Sequence, residues 1–325
     1  MRFVNELMSD PNVQKKKINT LKRSKRNSWA EKIELDIRKI SPYPISYDVT
    51  CNHPVNFTEY TYTELLGGMY LQSHSIDINT RLLQLASEEH SDDMSTHDKL
   101  KELSIDKYSL GEEIPKRFQN VEDIVFMPGN NIADIASVDI IGRVCSDEKV
   151  MVKPHPLTAE GFLAVLARTC GGWNRLIPME LSGVYFLQNC KRVYVTTNSE
   201  ISISGFILGK EVINVSAYKY ESAGVYYPIS RILFNSENPI QSLVNIVNCK
   251  WSGLLFPWQE DYIERAEAFY TKTLELREIY KPLHGPINWP HNVIKPDPRG
   301  EPKNIEQKKQ HNSPEFNKKI EYQPQ

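Results

Sequence analysis

Lys153-Pro154-His155-Pro156 holds two side chains suited to an anion on a stretch of backbone with little freedom. A histidine between two prolines is restricted on both sides, so its imidazole is offered at low entropic cost. Imidazole can stabilise or protonate a departing phosphate, and Lys153 can face the same charge. The tetrapeptide equally fits a strand end where proline stops the ladder and the histidine faces water. In Thr196-Thr197-Asn198-Ser199-Glu200-Ile201-Ser202, small hydroxyl and amide groups stand between a strand and a helix. Asn198 or Ser199 can cap that helix, leaving N–H groups and partial positive charge as an anion site, although any well-capped helix begins this way. Gly129 and Asn130, in Pro128-Gly129-Asn130-Asn131, make a third donor-rich turn that also reads as an ordinary strand-to-helix link. Glu180 can accept from a ribose hydroxyl, or serve as a solvated or capping carboxylate.

Residues 121–216 must position these loops. Asp123 to Asn130 is a short apolar run closed by turn residues, which suits a buried strand. Ile132, Ile135, Ala136, Ile140 and Val144 follow at helical spacing. Lys149–Lys153 predicts the next strand, Ala159–Thr169 a helix, Arg192–Thr197 a strand, Ile201–Leu208 a helix and Glu211–Val215 a last strand. Such alternation means βαβ units and a parallel sheet covered on both faces. The loops Pro128–Asn131, Lys153–Pro156 and Thr197–Glu200 then open at the carboxyl ends of the strands, where such sheets bind ligands. Outside this tract, Ile45–Val49 reads as a strand, while Tyr62–Leu71 and Asn79–Glu88 read as helices. Residues 89–112, rich in Ser, Asp and Lys, read as a surface excursion. Gln259–Tyr280 predicts a long amphipathic helix that closes the α/β domain or crosses to its neighbour.

The resulting organisation is a basic flexible arm (1–35), an N-terminal domain (36–120), a Rossmann-like domain (121–258), a closing helix (259–283) and a polar tail unable to form a core (284–325). Five widely spaced cysteines with no C-x-x-C pair argue against a disulfide framework or a structural zinc site, and for a reducing compartment. Neither a signal peptide nor a membrane span is expected, which predicts a cytoplasmic protein. No Asp-x-Asp and no His/Cys cluster has metal spacing, so no metal site is expected. The absence of a Walker lysine motif and of G-x-G-x-x-G argues against an NTPase and a dinucleotide oxidoreductase.

The run from Val152 to Ser216 resembles the C-terminal half of GT-B glycosyltransferases with an "HP" motif, a group that includes capsular Kdo transferases, sialyltransferases and teichoic-acid-type polymerases. In that pattern an apolar strand ends in Lys-Pro-His-Pro, as at Lys153–Pro156. A later strand ends in Ser/Thr residues before "s-x-x-x-G-x-x-x-G-K-x-V"; here Ser199 opens a run containing Gly205, Gly209, Lys210 and Val212. Ala217–Gly224 is similar to the segment that follows in the capsular enzymes. The resemblance implies an α/β, GT-B-like fold: two Rossmann-like domains around a nucleotide-sugar cleft, the N-terminal one reduced or irregular. It implies a metal-independent transferase with no cofactor beyond a UDP-, CDP- or CMP-linked sugar. His155 would meet the donor phosphate and Asn198, Ser199 and Ser202 would complete the cradle. Lys153, Gly129, Asn130, Glu180 and Glu200 would line the donor side. An inverting member needs a general base from the N-terminal domain, whereas a retaining one does not. Asp48, His53, Glu59, Glu64 and Asp77 are the candidates, with His155 as the acid-side group. Glu64 is favoured because Gly67 and Gly68, just beyond it, can admit phosphates or sugar.

Net charge is −2, yet Lys15, Lys16, Lys17, Lys22, Arg23, Lys25 and Arg26 crowd into residues 15–26. Such a block is a solvated face or a tether to a polyanion, favoured by counterion release. Transferases that glycosylate hydroxymethylated bases of phage DNA are GT-B proteins of similar size, and a DNA acceptor is the expectation here by analogy. A capsular or cell-envelope glycan is the alternative acceptor. A nucleotide-sugar epimerase and a non-enzymatic nucleic-acid-binding protein are the alternatives in other classes.

Overall fold

The computed structural model describes residues 28–41, 45–47, 60–73, 75–103, 113–127, 138–156, 158, 160–216 and 225–284. In chain order the elements are α1 (Ser28–Ile40), β1 (Ile45–Tyr47), β2 (Tyr60–Leu65), β3 (Gly68–Ser73), α2 (Ile76–Glu88) and α3 (Ser95–Leu103). Then come β4 (Asp123–Phe126), α4 (Val138–Val144), β5 (Met151–Lys153), α5 (Glu160–Thr169), α6 (Gly183–Asn189), β6 (Arg192–Val195), α7 (Glu200–Ile207) and β7 (Glu211–Asn214). The last are α8 (Tyr227–Asn235), α9 (Pro239–Asn248), β8 (Leu254–Leu255) and α10 (Tyr262–His284).

The tract 121–216 folds as its alternation predicts, into a parallel sheet of order β5-β4-β6-β7. Val125, Val152, Val193 and Val195 are wholly buried in it, because helices leave no solvated face for polar residues to alternate onto. The protein is therefore α/β, with a parallel sheet compatible with a Rossmann-like fold.

The other sheet has the order β1-β2-β3-β8, with β1 parallel to β2 and the remaining pairs antiparallel. Here the expected helix Tyr62–Leu71 is corrected to a β-hairpin, β2–β3. Leu66 (φ 53°) and Gly67 (φ 76°) form its two-residue turn in the left-handed region, as twisted hairpins prefer. Every residue of both strands is buried, and Tyr62, Leu65, Leu66 and Met69 fall at helical spacing, which mimics a helix and outweighs the short alternation Tyr60-Thr61-Tyr62-Thr63.

Ile33 and Ile37 of α1, Leu82 and Leu83 of α2, Ile229 of α8, Ile246 of α9 and Phe269 of α10 gather in this sheet's core. The tract read as an arm to residue 35 thus contributes core from α1 onward, while the seven arm cations lie outside the described residues. Residues 89–112 likewise include α3, with Thr96, His97 and Leu100 buried. Asn245 and Gln241 hold the loop before α3 through Ser91. The long helix α10 crosses to the first sheet, its Phe269 and Tyr270 rings meeting Tyr60 edge-on at 5.9 and 4.9 Å. Between the two cores lies α7. Its Ile203, Phe206 and Ile207 join the first core, and Ile201 packs against the parallel-sheet core. No described helix is long and apolar enough to cross a membrane.

Candidate functional site

From β4 the chain builds outward first to β5 and then, after crossing back, to β6 and β7. The carboxyl ends of β4 and β6 therefore flank the crevice where such sheets hold ligands. Thr196 and Thr197 lie buried under the turn that follows β6. The Thr197 N–H donates to Ser216 Oγ at 2.9 Å, and the two hydroxyls stand 3.1 Å apart, which ties this turn to the end of β7. Thr196 Oγ1 bonds the half-buried Asn198 through its Oδ1. Ser199 takes the N-cap position expected of it: its backbone is extended, its N–H donates to Thr196 O at 3.1 Å and its Oγ accepts from the Ile201 N–H at 3.4 Å. The positive end of α7 thus opens at the switch point.

One strand separates β6 from β5, so their ends stand about 10 Å apart, a gap a nucleotide can span. At the end of β5, His155 is half-buried and its carbonyl accepts from the Thr158 N–H at 2.9 Å, closing the Pro-His-Pro segment into a turn. The same rim carries Glu180. Leu176 bridges to Val152 in parallel and the Ile177 N–H donates to Val152 O at 2.8 Å, which leads residues 178–180 past the end of β5 with Glu180 exposed. His155, Asn198, Ser199 and Glu180 are the expected site residues that share this rim. Gly129, Asn130, His53, the arm cations and Ala217–Gly224 lie outside the described residues.

Five expectations require correction. Lys153 is buried and its ammonium donates to the carbonyls of Pro154 and Met179, both at 3.1 Å, so its charge stitches β5 to the neighbouring segment instead of facing the crevice. Ser202 is wholly buried; its hydroxyl donates to Ser199 O at 2.7 Å and meets Ser230 Oγ at 2.8 Å, joining α7 to α8. Glu200 turns from the donor side to the first sheet, where Oε1 accepts from the Leu66 N–H at 2.7 Å. Nor does Gly68 leave room for a ligand: a Cβ there would lie 2.3 Å from Leu255 O and 2.6 Å from the Phe256 ring. Glu64, the favoured base, is only 9% exposed, and its carbonyl accepts from the Tyr226 hydroxyl at 2.7 Å. A base must be reachable by the hydroxyl it deprotonates, and this burial does not offer the carboxylate to an acceptor.

The glycines of the s-x-x-x-G-x-x-x-G-K pattern serve architecture. A Cβ on Gly205 would come within 2.9 Å of Val212 Cγ2, so glycine lets α7 lie close on β7. Gly209 (φ 65°) ends the helix, with its N–H on Phe206 O and the Lys210 N–H on Gly205 O at 2.9 Å. Lys210 Nζ caps α6 through the Gln188 and Cys190 carbonyls. No family model matches the chain. The curated proteins hold no match for it either. The resemblance of Val152–Gly224 therefore rests on its own residues, and the part from Gly205 to Lys210 speaks to helix packing rather than to chemistry.

Sequence reasoning missed Ser216, which holds the turn after β6, and Leu66 and Tyr226, which meet Glu200 at the start of α7. Ser216 had a readable signal, a hydroxyl just past the last strand of the alternation. Tyr226 precedes a helix announced by Pro228, but its reach to Glu64 depends on tertiary structure alone. The thiols of Cys145, Cys190 and Cys249 are each pushed up to about 11 by burial, and that of Cys170 is raised for the same reason, so none is poised as a nucleophile.

Proposed function

We propose that the chain is a nucleotide-sugar-dependent glycosyltransferase whose donor phosphates sit in the crevice between the ends of β4 and β6. The observation that supports this best is the Ser199-capped start of α7 opening at the switch point with His155 on the same rim. Helix-terminal N–H groups donate to phosphate oxygens, and an imidazole across the gap can neutralise or protonate the phosphate of the leaving nucleotide. The position of α7 between two cores, and the return of α10 to the first, favour a GT-B arrangement with donor and acceptor on opposite bodies. The donor is a UDP-, CDP- or CMP-linked sugar. The acceptor is a hydroxymethylated base of DNA, engaged by the cations of residues 15–26 through counterion release.

A thermal-shift panel of UDP-, CDP-, GDP- and CMP-sugars tests the donor. At least one is expected to raise the melting temperature in wild type and to do so less in Ser199→Ala, since a ligand that binds only the native state stabilises it. A flat panel sinks the reading. Incubation of the active donor with hydroxymethylated DNA or a capsular oligosaccharide, read by mass spectrometry, decides the acceptor. Deletion of residues 1–27 is expected to weaken DNA binding at low salt; unchanged affinity removes DNA as acceptor.

A further inference from the structure

We infer that Glu200 is a positioning residue whose carboxylate latches the β2–β3 turn to the start of α7 and thereby fixes where that helix end stands at the crevice, an inference that rests on the donor reading above only for its consequence. Leu66 is the sole non-glycine residue with positive φ among the described residues. As the first residue of a two-residue hairpin turn, its N–H lies outside the β2–β3 ladder, whose last pair is Leu65 with Gly68. That orphan donor is buried and must find a partner. Its partner is an anion, Glu200 Oε1, at 2.7 Å. Charge-assisted bonds of this kind are among the stronger ones.

The rest of the α7 start is committed locally. Ser199 caps its own helix and Ser202 packs on Ser230, so in this turn Glu200 supplies the charged group that crosses to the first sheet. The Tyr226 hydroxyl, donated to Glu64 O at 2.7 Å, lies 3.5 Å from Glu200 Oε2, and the start of α8 thus braces the same hairpin. A carboxylate aimed at a donor phosphate would repel it. Drawn onto Leu66, it holds the hairpin against the helix end and leaves the Ser199 side of the turn open to the ligand.

Amide hydrogen exchange on the full chain tests the latch. In Glu200→Ala the Leu66 amide is expected to exchange at least about tenfold faster, the range for losing a bond to a charged group. Val193 and Val125 in the parallel sheet should keep their wild-type rates. Glu200→Asp, charged but too short, should follow Glu200→Ala, whereas Glu200→Gln, whose carbonyl can still accept, should stay within about threefold of wild type. An unchanged Leu66 rate in Glu200→Ala, or an equal acceleration at Val193, overturns the latch. Titration calorimetry with UDP, CDP and CMP reads the consequence. Affinity for the nucleotide that binds should fall at least about fivefold in Glu200→Ala and recover in Glu200→Gln, about 1 kcal/mol. Equal affinity in all three proteins overturns the role in positioning the helix end for the ligand. If wild type binds none of the nucleotides, the glycosyltransferase reading falls, while the Leu66 rates still decide the latch.

Discussion

The parallel sheet takes its four strands from one tract, Asp123 to Asn214, each following the last through intervening helices. The first sheet instead pairs Met69 with Leu255 and buries Tyr60 against Phe269, partners from opposite ends of the described chain. One sheet is assembled from neighbours and the other from strangers. Long-range pairing must meet loop-closure entropy before any contact rewards it, so the first sheet depends on close fit among distant residues. The parallel sheet can lean on helix and strand signals that agree locally.

That difference can be broken by substitution. Phe269→Ala should have the largest effect, about 3–5 kcal/mol lost in urea denaturation, because a wholly buried ring is removed from beside Tyr60 and Tyr270. A loss below about 1 kcal/mol would mean that α10 merely rests on the first sheet. Gly68→Ala should cost about 2–3 kcal/mol, since the obstacle is the Leu255 carbonyl and backbone cannot step aside cheaply. Gly205→Ala sharpens the contrast on the parallel side. Its obstacle is a branch of Val212, and alanine favours the helix by about 1 kcal/mol, so stability should stay within about 1 kcal/mol of wild type.

How much was legible follows the same division. Each strand of the parallel sheet is announced by an apolar run, and Ser199 was readable as a cap because N-cap chemistry is local. The hairpin reads as a helix because Tyr62, Leu65, Leu66 and Met69 fall at i, i+3, i+4 and i+7, a longer signal than the alternation Tyr60-Thr61-Tyr62-Thr63. At the site, His155, Asn198, Ser199 and Glu180 could be nominated from their loops. That Lys153 turns inward to Met179 O, or that Glu200 reaches Leu66, depends on segments brought together only by the fold.

The smallest expected effect lies at the surface between α1 and α10. The Tyr262 hydroxyl, and then Lys39, hold the Asp36 carboxyl below its ordinary value of 3.8. A carboxyl depressed by folding contributes stability above 3.8, and the contribution is lost as pH falls through its folded value. Tyr262 is pushed up to about 12, first by Asp36, so its share is present below 10 and is lost as pH rises through about 12. Tyr262→Phe should raise the Asp36 titration midpoint in a carboxyl-resolved NMR titration. An unmoved midpoint would detach α10 from α1 at this point.

The return of the chain to complete the first sheet has a consequence for the nascent protein. The hairpin Tyr60–Ser73 leaves the ribosome long before Leu254–Leu255 and Phe269 are made. At ordinary synthesis rates of about 5–20 residues per second, it waits about 10–40 s with the β3 edge uncovered. The whole parallel sheet emerges within that interval and can close first. A bare, apolar strand edge invites pairing with other chains, so translation speed and holding chaperones become determinants of yield for this architecture.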